Sequence, residues 1–84
     1  MNPTWLLLGR PECHLCEAFE AELSQAFPAL PLERACVDDD PEWRFAYGRE
    51  IPVLLDPHGQ AVCRSFFNVA EVQARLDEID ARAD

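Results

Sequence analysis

Four consecutive apolar residues, Trp5-Leu6-Leu7-Leu8, are cut off by Gly9 and Pro11, and a different period takes over at His14. A short, unbroken apolar run bounded by turn residues suits a strand covered on both faces. Beyond it, Leu15, Phe19, Leu23 and Phe27 recur at helical spacing, with Glu17, Glu20 and Glu22 turned elsewhere, until Pro28 stops the pattern. That spacing predicts an amphipathic helix over 14–27. Strand followed at once by helix is the opening of a βαβ unit, which commits the chain to a sheet with helices packed on it.

The remaining segments extend the same architecture. Leu32 to Asp38 alternates as a strand and ends in an acidic run, Asp38 to Asp40, read as a solvated turn that caps the next helix. Asp40-Pro41 pairs a capping residue with proline at the first helical position, opening a short helix through Trp43, Phe45 and Tyr47 that Gly48 ends. Pro52 to Asp56 and Ala61 to Phe67 are two strands joined by the turn Asp56-Pro57-His58-Gly59. Asn68, with Glu71 after it, caps a last helix whose inward stripe is Val69, Val72, Leu76 and Ile79, and whose acidic end, Asp77 to Asp84, is expected to fray. The aromatic residues Trp43, Phe45, Tyr47, Phe66 and Phe67 are assigned to the core or to packing near the site. The order is β-α-β-α-β-β-α: one α/β domain over 1–84, with a single mixed sheet of four strands and helices on its faces.

Charge narrows the function. The chain carries 16 acids against 7 basic residues, every one of them arginine, for a formal charge of -9. Phosphate contacts need a positive surface, so nucleic acid and anionic membrane surfaces are poor partners. The apolar run at Trp5 is too short for a signal-peptide core and has no basic residue before it, so a cytoplasmic setting is expected. In a reducing compartment the 4 cysteines are thiols by default. Cys36 and Cys63 fall on separate strands with no ligand-spaced partner and read as buried, inert thiols.

Cys13 and Cys16 differ from these, because they stand where the first strand hands over to the first helix. Unpaired backbone N–H groups and the helix dipole favour an anion there, and a thiolate is an anion. Cys13, at the helix start, is the candidate nucleophile with a lowered pKa, and Cys16, one turn on, the slower partner. Arg10 brings a positive charge to the approach loop and can stabilise the thiolate or hold a substrate carboxylate. A protonated His14 would further favour the Cys13 thiolate. Three readings of the pair stand at this point: a redox dithiol, part of a metal or iron–sulfur site, and a binding domain whose cysteines are vestigial. A structural zinc site wants four N or S ligands, and the chain offers no second cysteine pair of this spacing.

The chain resembles the glutaredoxin-like branch of the thioredoxin superfamily. The likeness rests on Cys13-His14-Leu15-Cys16 after the first strand, on Ile51-Pro52 opening the third, and on the segment DDDPEWRFAYG. It implies a thioredoxin-like fold and a thiol-disulfide oxidoreductase with Cys13 and Cys16 catalytic. It also implies a cis Pro52 and an Ile51 backbone facing the substrate; no metal or bound cofactor and a monomeric state are expected besides. The partner is then a disulfide-containing protein or glutathione, the latter a candidate co-substrate. His14-Leu15 stands where glutaredoxins usually carry Pro-Tyr, and Phe66-Phe67-Asn68 where they carry a Gly-Gly turn. The first strand lacks the buried acid of thioredoxins.

Overall fold

A computed structural model describes residues 4–82. Strand β1, Trp5–Gly9, runs parallel to β2, Leu32–Cys36, and antiparallel to β3, Val53–Leu55, which pairs with antiparallel β4, Ala61–Arg64. The four-stranded sheet has the order β2-β1-β3-β4. Helices α1, His14–Ala26, α2, Pro41–Tyr47, and α3, Val69–Arg82, complete the expected thioredoxin-like arrangement.

The unbroken apolar run of β1 follows from its central place in the sheet, where alternate side chains enter opposite layers. Trp5 and Leu7 join Phe19 and Leu23 of α1, Leu54, Cys63 and Val72 of α3 in one core. Leu8 joins Val37, Val53 and Leu55 in the other, closed by Trp43 and Tyr47 of α2. The Phe67 ring meets Phe19 edge-on at 5.6 Å and Phe27 at 6.4 Å, tying the segment before α3 to α1. Of these rings only Phe19 is buried, and removing it should cost about 3–5 kcal/mol.

A buried carboxylate pins the hairpin to α3. Asp56, only 3 % exposed, accepts the backbone N–H groups of His58 at 2.9 Å and Gln60 at 3.0 Å on one oxygen. Its other oxygen accepts Arg75 Nη1 from α3 at 2.7 Å. Burial works to raise the Asp56 pKa, but the hydrogen bonds from Gln60, Arg75 and His58 outweigh it and hold the group below the ordinary carboxylate value.

Several boundaries differ from the sequence reading. β2 stops at Cys36 because Val37 turns inward in a 3-10 turn, Val37–Asp39, and Asp38 takes an arginine partner rather than lying in a merely solvated loop. β3 begins after Pro52, which has no N–H for the ladder. β4 stops at Arg64 because Ser65 adopts a φ of 66° and turns its N–H to Pro52 O and Glu50 O. The first-turn residues Leu15 and Val69 are exposed rather than inward, since each helix meets the core only from its second turn. Phe45 lies on the outer side of α2 at 95 % exposure, contrary to the core assignment, and Phe66 is exposed as well. The acidic end is helical to Arg82, and residues 83 and 84 lie outside the described part.

Candidate active site

The register of the central strand places the cysteine pair. Leu8 faces Val53 and Gly9 faces Cys36, so the end of β1, the Pro52 end of β3 and the last residue of β2 share one edge of the sheet. α1 begins at that edge. The loop between turns tightly through Pro11 and through Glu12, whose φ is 61°. Proline followed by a left-handed residue is the pattern of a type II turn, which aims the chain at its next residue, Cys13.

Cys13 is the N-cap of α1, and its Sγ accepts the Cys16 backbone N–H at 3.1 Å. The two cysteines form a disulfide across the first turn, with their Cα atoms 5.2 Å apart. Both are half-buried. The Cys16 N–H and the helix terminus thus face the Cys13 sulfur, an environment of the kind that favours a thiolate.

Arg10 is exposed but held by three hydrogen bonds within the protein. Its Nε and Nη2 reach the two carboxylate oxygens of Asp38 at 2.9 and 3.0 Å, and Nη1 donates to Gly48 O at 2.9 Å. The Arg10 guanidinium holds the Asp38 carboxyl below its usual range. The arginine expected to meet a thiolate or a substrate carboxylate thus has two partners inside the protein. It ties the loop before Cys13 to the turn after β2 and to the end of α2.

His14 is almost wholly exposed, with Nδ1 3.8 Å from Glu17. Ile51 is half-buried, its peptide bond to Pro52 is cis, and no backbone hydrogen bond engages it among the described residues. Ser65 instead covers the neighbouring carbonyls of Glu50 and Pro52.

A groove of about 380 Å³ opens beside the disulfide, bounded by Gly9, Cys13, Cys16, Glu17, Arg34 and Cys36. Cys36, expected to be buried, is half-exposed there, because it ends an edge strand with no neighbour on its outer side. Only its parallel pairing with β1 reveals this, and no signal in the sequence marks it. Cys63 is buried as expected, and burial pushes its thiol pKa up. Asp56 and Arg75 also escaped the sequence reading, although the Asp-Pro-x-Gly turn is a known setting for an Asp that bonds its own backbone. No cluster of three or more His, Cys, Asp or Glu side chains suited to a metal ion occurs among the described residues. No described helix is long and apolar enough to cross a membrane.

Comparison with known proteins agrees with this geometry. The glutaredoxin-like domain family (DUF836) matches residues 4–77. No curated protein matches. Among solved structures, protein Ne2328 from Nitrosomonas europaea is 25% identical, with a TM-score of 0.78 over 89% of this chain and 93% of its own. The X-ray structure of protein XcR50 from X. campestris is 32% identical, with a TM-score of 0.68 over 88% of this chain and 96% of its own. Its solution structure aligns at 35% identity, also with a TM-score of 0.68, over 88% and 92%. With the family match spanning all four strands, all three helix starts and the disulfide at the first of them, the chain belongs to the glutaredoxin-like domain family.

Proposed function

We propose that the protein is a thiol-disulfide oxidoreductase that reduces or exchanges disulfides through Cys13 and Cys16. The observation that carries the reading is the Cys13 sulfur at the α1 N-cap, accepting the Cys16 N–H and joined to Cys16 in a disulfide. In the reduced form the Cys13 thiolate attacks one sulfur of a substrate disulfide, forming a mixed disulfide and expelling the other sulfur as a thiolate. Cys16 then loses its proton and attacks the Cys13 sulfur. The substrate leaves as a dithiol, two electrons richer, and the protein is left with the Cys13–Cys16 disulfide.

Other side chains take supporting roles in this reading. Arg10 is a positioning residue that fixes the loop before Cys13. His14 stands open beside the attacking sulfur, and the unengaged backbone of Ile51, next to Pro52, is available to an extended substrate. Two free thiols in so small a chain suit a reducing compartment such as the cytoplasm. A disulfide-containing protein is the partner in this reading, with glutathione a candidate co-substrate and the monomer the working unit.

Turnover of bis(2-hydroxyethyl) disulfide by wild type, Cys13→Ser and Cys16→Ser tests the mechanism. Cys13→Ser should lose activity, by about 100-fold or more given that the nucleophile itself is gone. Cys16→Ser should keep a monothiol fraction and accumulate a mixed disulfide visible by mass spectrometry. Wild-type turnover in the Cys13 variant would overturn the assignment.

A further inference from the structure

The arginines of this chain are not used evenly. Arg10, Arg34, Arg64 and Arg75 are each ion-paired, with Asp38, Glu20, Glu50 and Asp56 respectively. Arg44 and Arg49 make no side-chain hydrogen bond and no ion pair among the described residues. Two neighbouring cations are thus left without a carboxylate partner among the described residues. Arg44 lies close enough to Asp38 to favour its ionised form, but Asp38 is already bonded to Arg10.

The two free guanidiniums share one open groove of about 620 Å³ with Pro41, Phe45 and Glu50. The acid in that groove, Glu50, is engaged by Arg64 at 2.5 Å. Between the arginines stands Phe45, 95 % exposed, the most exposed large apolar side chain described. Positions 41, 44 and 45 share one face of α2, and Arg49, in the turn just past the helix, lines the same groove. Trp43 and Tyr47 anchor the opposite face in the core, Asp40 caps the helix, and Arg10 grips Gly48 O at its end. The outward face is therefore presented on a fixed support.

That face is tied to the loop that carries Cys13. The Arg10 side chain that holds the end of α2 belongs to the loop before Cys13, and Arg49 precedes Ile51 and Pro52 by a short step along the chain. An exposed aromatic ring flanked by unpaired guanidiniums is complementary to carboxylates beside an apolar side chain.

We propose that the surface formed by Arg44 and Phe45 of α2 and by Arg49 just after it docks an acidic segment, bearing an apolar residue, on the disulfide-containing protein that Cys13 reduces. This rests on the thiol-disulfide reading above and adds the chemistry of its partner. The protein's charge of -9 works the other way at long range and favours a basic substrate. Preference for an acidic one is therefore a distinctive signature of the local patch.

Two disulfide-linked peptides that differ only in their flanks, Asp/Glu with one Phe against Lys with one Phe, supply the test, beside the neutral bis(2-hydroxyethyl) disulfide. Wild type should favour the acidic peptide in kcat/KM by about 5–10-fold at low salt, falling below about 2-fold near 0.5 M as screening shortens the reach of charge. The Arg44→Ala/Arg49→Ala variant should lose this preference, and Phe45→Ala should lower turnover of the acidic peptide, while all variants reduce the neutral disulfide as wild type does. Equal use of both peptides, or preference for the Lys peptide, would overturn the docking surface.

A cysteine-free version of the acidic peptide separates docking from chemistry. It should shift the NMR resonances of residues 44–49 in the oxidised protein. Such shifts in a protein that fails to reduce the neutral disulfide would sink the redox reading and leave the docking surface standing. A concentration-dependent dimer abolished by Phe45→Ala would assign the face to a second copy of the chain and overturn the proposal.

Discussion

The position that a Cβ on Gly9 would occupy lies 2.9 Å from Cys16 Sγ and 3.3 Å from Cys16 Cβ. The end of β1 and the first turn of α1 thus touch with no room for a methyl group. Gly9 is what lets the second cysteine sit against the sheet. Gly9→Ala should lower stability by about 1–3 kcal/mol through overpacking, and should slow disulfide exchange by displacing Cys16. Urea unfolding and turnover of a small disulfide check both effects, and an unperturbed exchange rate would show that the contact does not position the pair.

Arg10 and Asp38 act as one clip. Arg10→Ala and Asp38→Ala should each slow exchange by about 3–10-fold through misplacement of the Cys13 loop. The double variant should be no slower than either single one, because both remove the same tether. Arg10→Lys should not restore the rate, since a single ammonium cannot span Asp38 and Gly48 O together. Additive losses would mean that Arg10 meets the substrate directly.

Asp56 makes stability depend on acid. Its folded pKa lies below the unfolded value of about 3.9. Its contribution is therefore complete above that pH and is lost as the pH falls through the lower, folded value. Asp56→Asn should cost about 1–3 kcal/mol at neutral pH, and should flatten the decline of unfolding free energy below about pH 4. Denaturant titrations from about pH 2.5 to 7 read both, and parallel curves for the two proteins would contradict the assignment.

The two free thiols should react unequally. Cys63 is 3% exposed and its pKa is raised by burial, whereas Cys36 is half-exposed beside the active-site groove. In reduced, folded protein, iodoacetamide should alkylate Cys36 at least about tenfold faster than Cys63. Mass spectrometry of the time course decides, and equal rates would mean that β4 opens readily enough to expose Cys63.

Much of this molecule is written locally. The run at Trp5 to Leu8, the stripe at Phe19 and Leu23, the Asp40-Pro41 start and the Asn68 cap each depend on neighbours within a turn or two, so a single sequence displays them. The cysteine pair is of the same kind: its spacing and its place at a helix start are local, and the N–H that meets Cys13 belongs to Cys16 itself. Other features are set by groups far apart in the chain. Asp38 and Gly48 became the partners of Arg10, Arg75 the partner of Asp56, and Cys36 the flank of the groove only when the strands paired. Exposure of Phe45 was likewise decided by which face of α2 met the sheet. Helix and turn signals are short-range, whereas the pairing of charges and the burial of a ring depend on register and packing, which exist only once the sheet has formed.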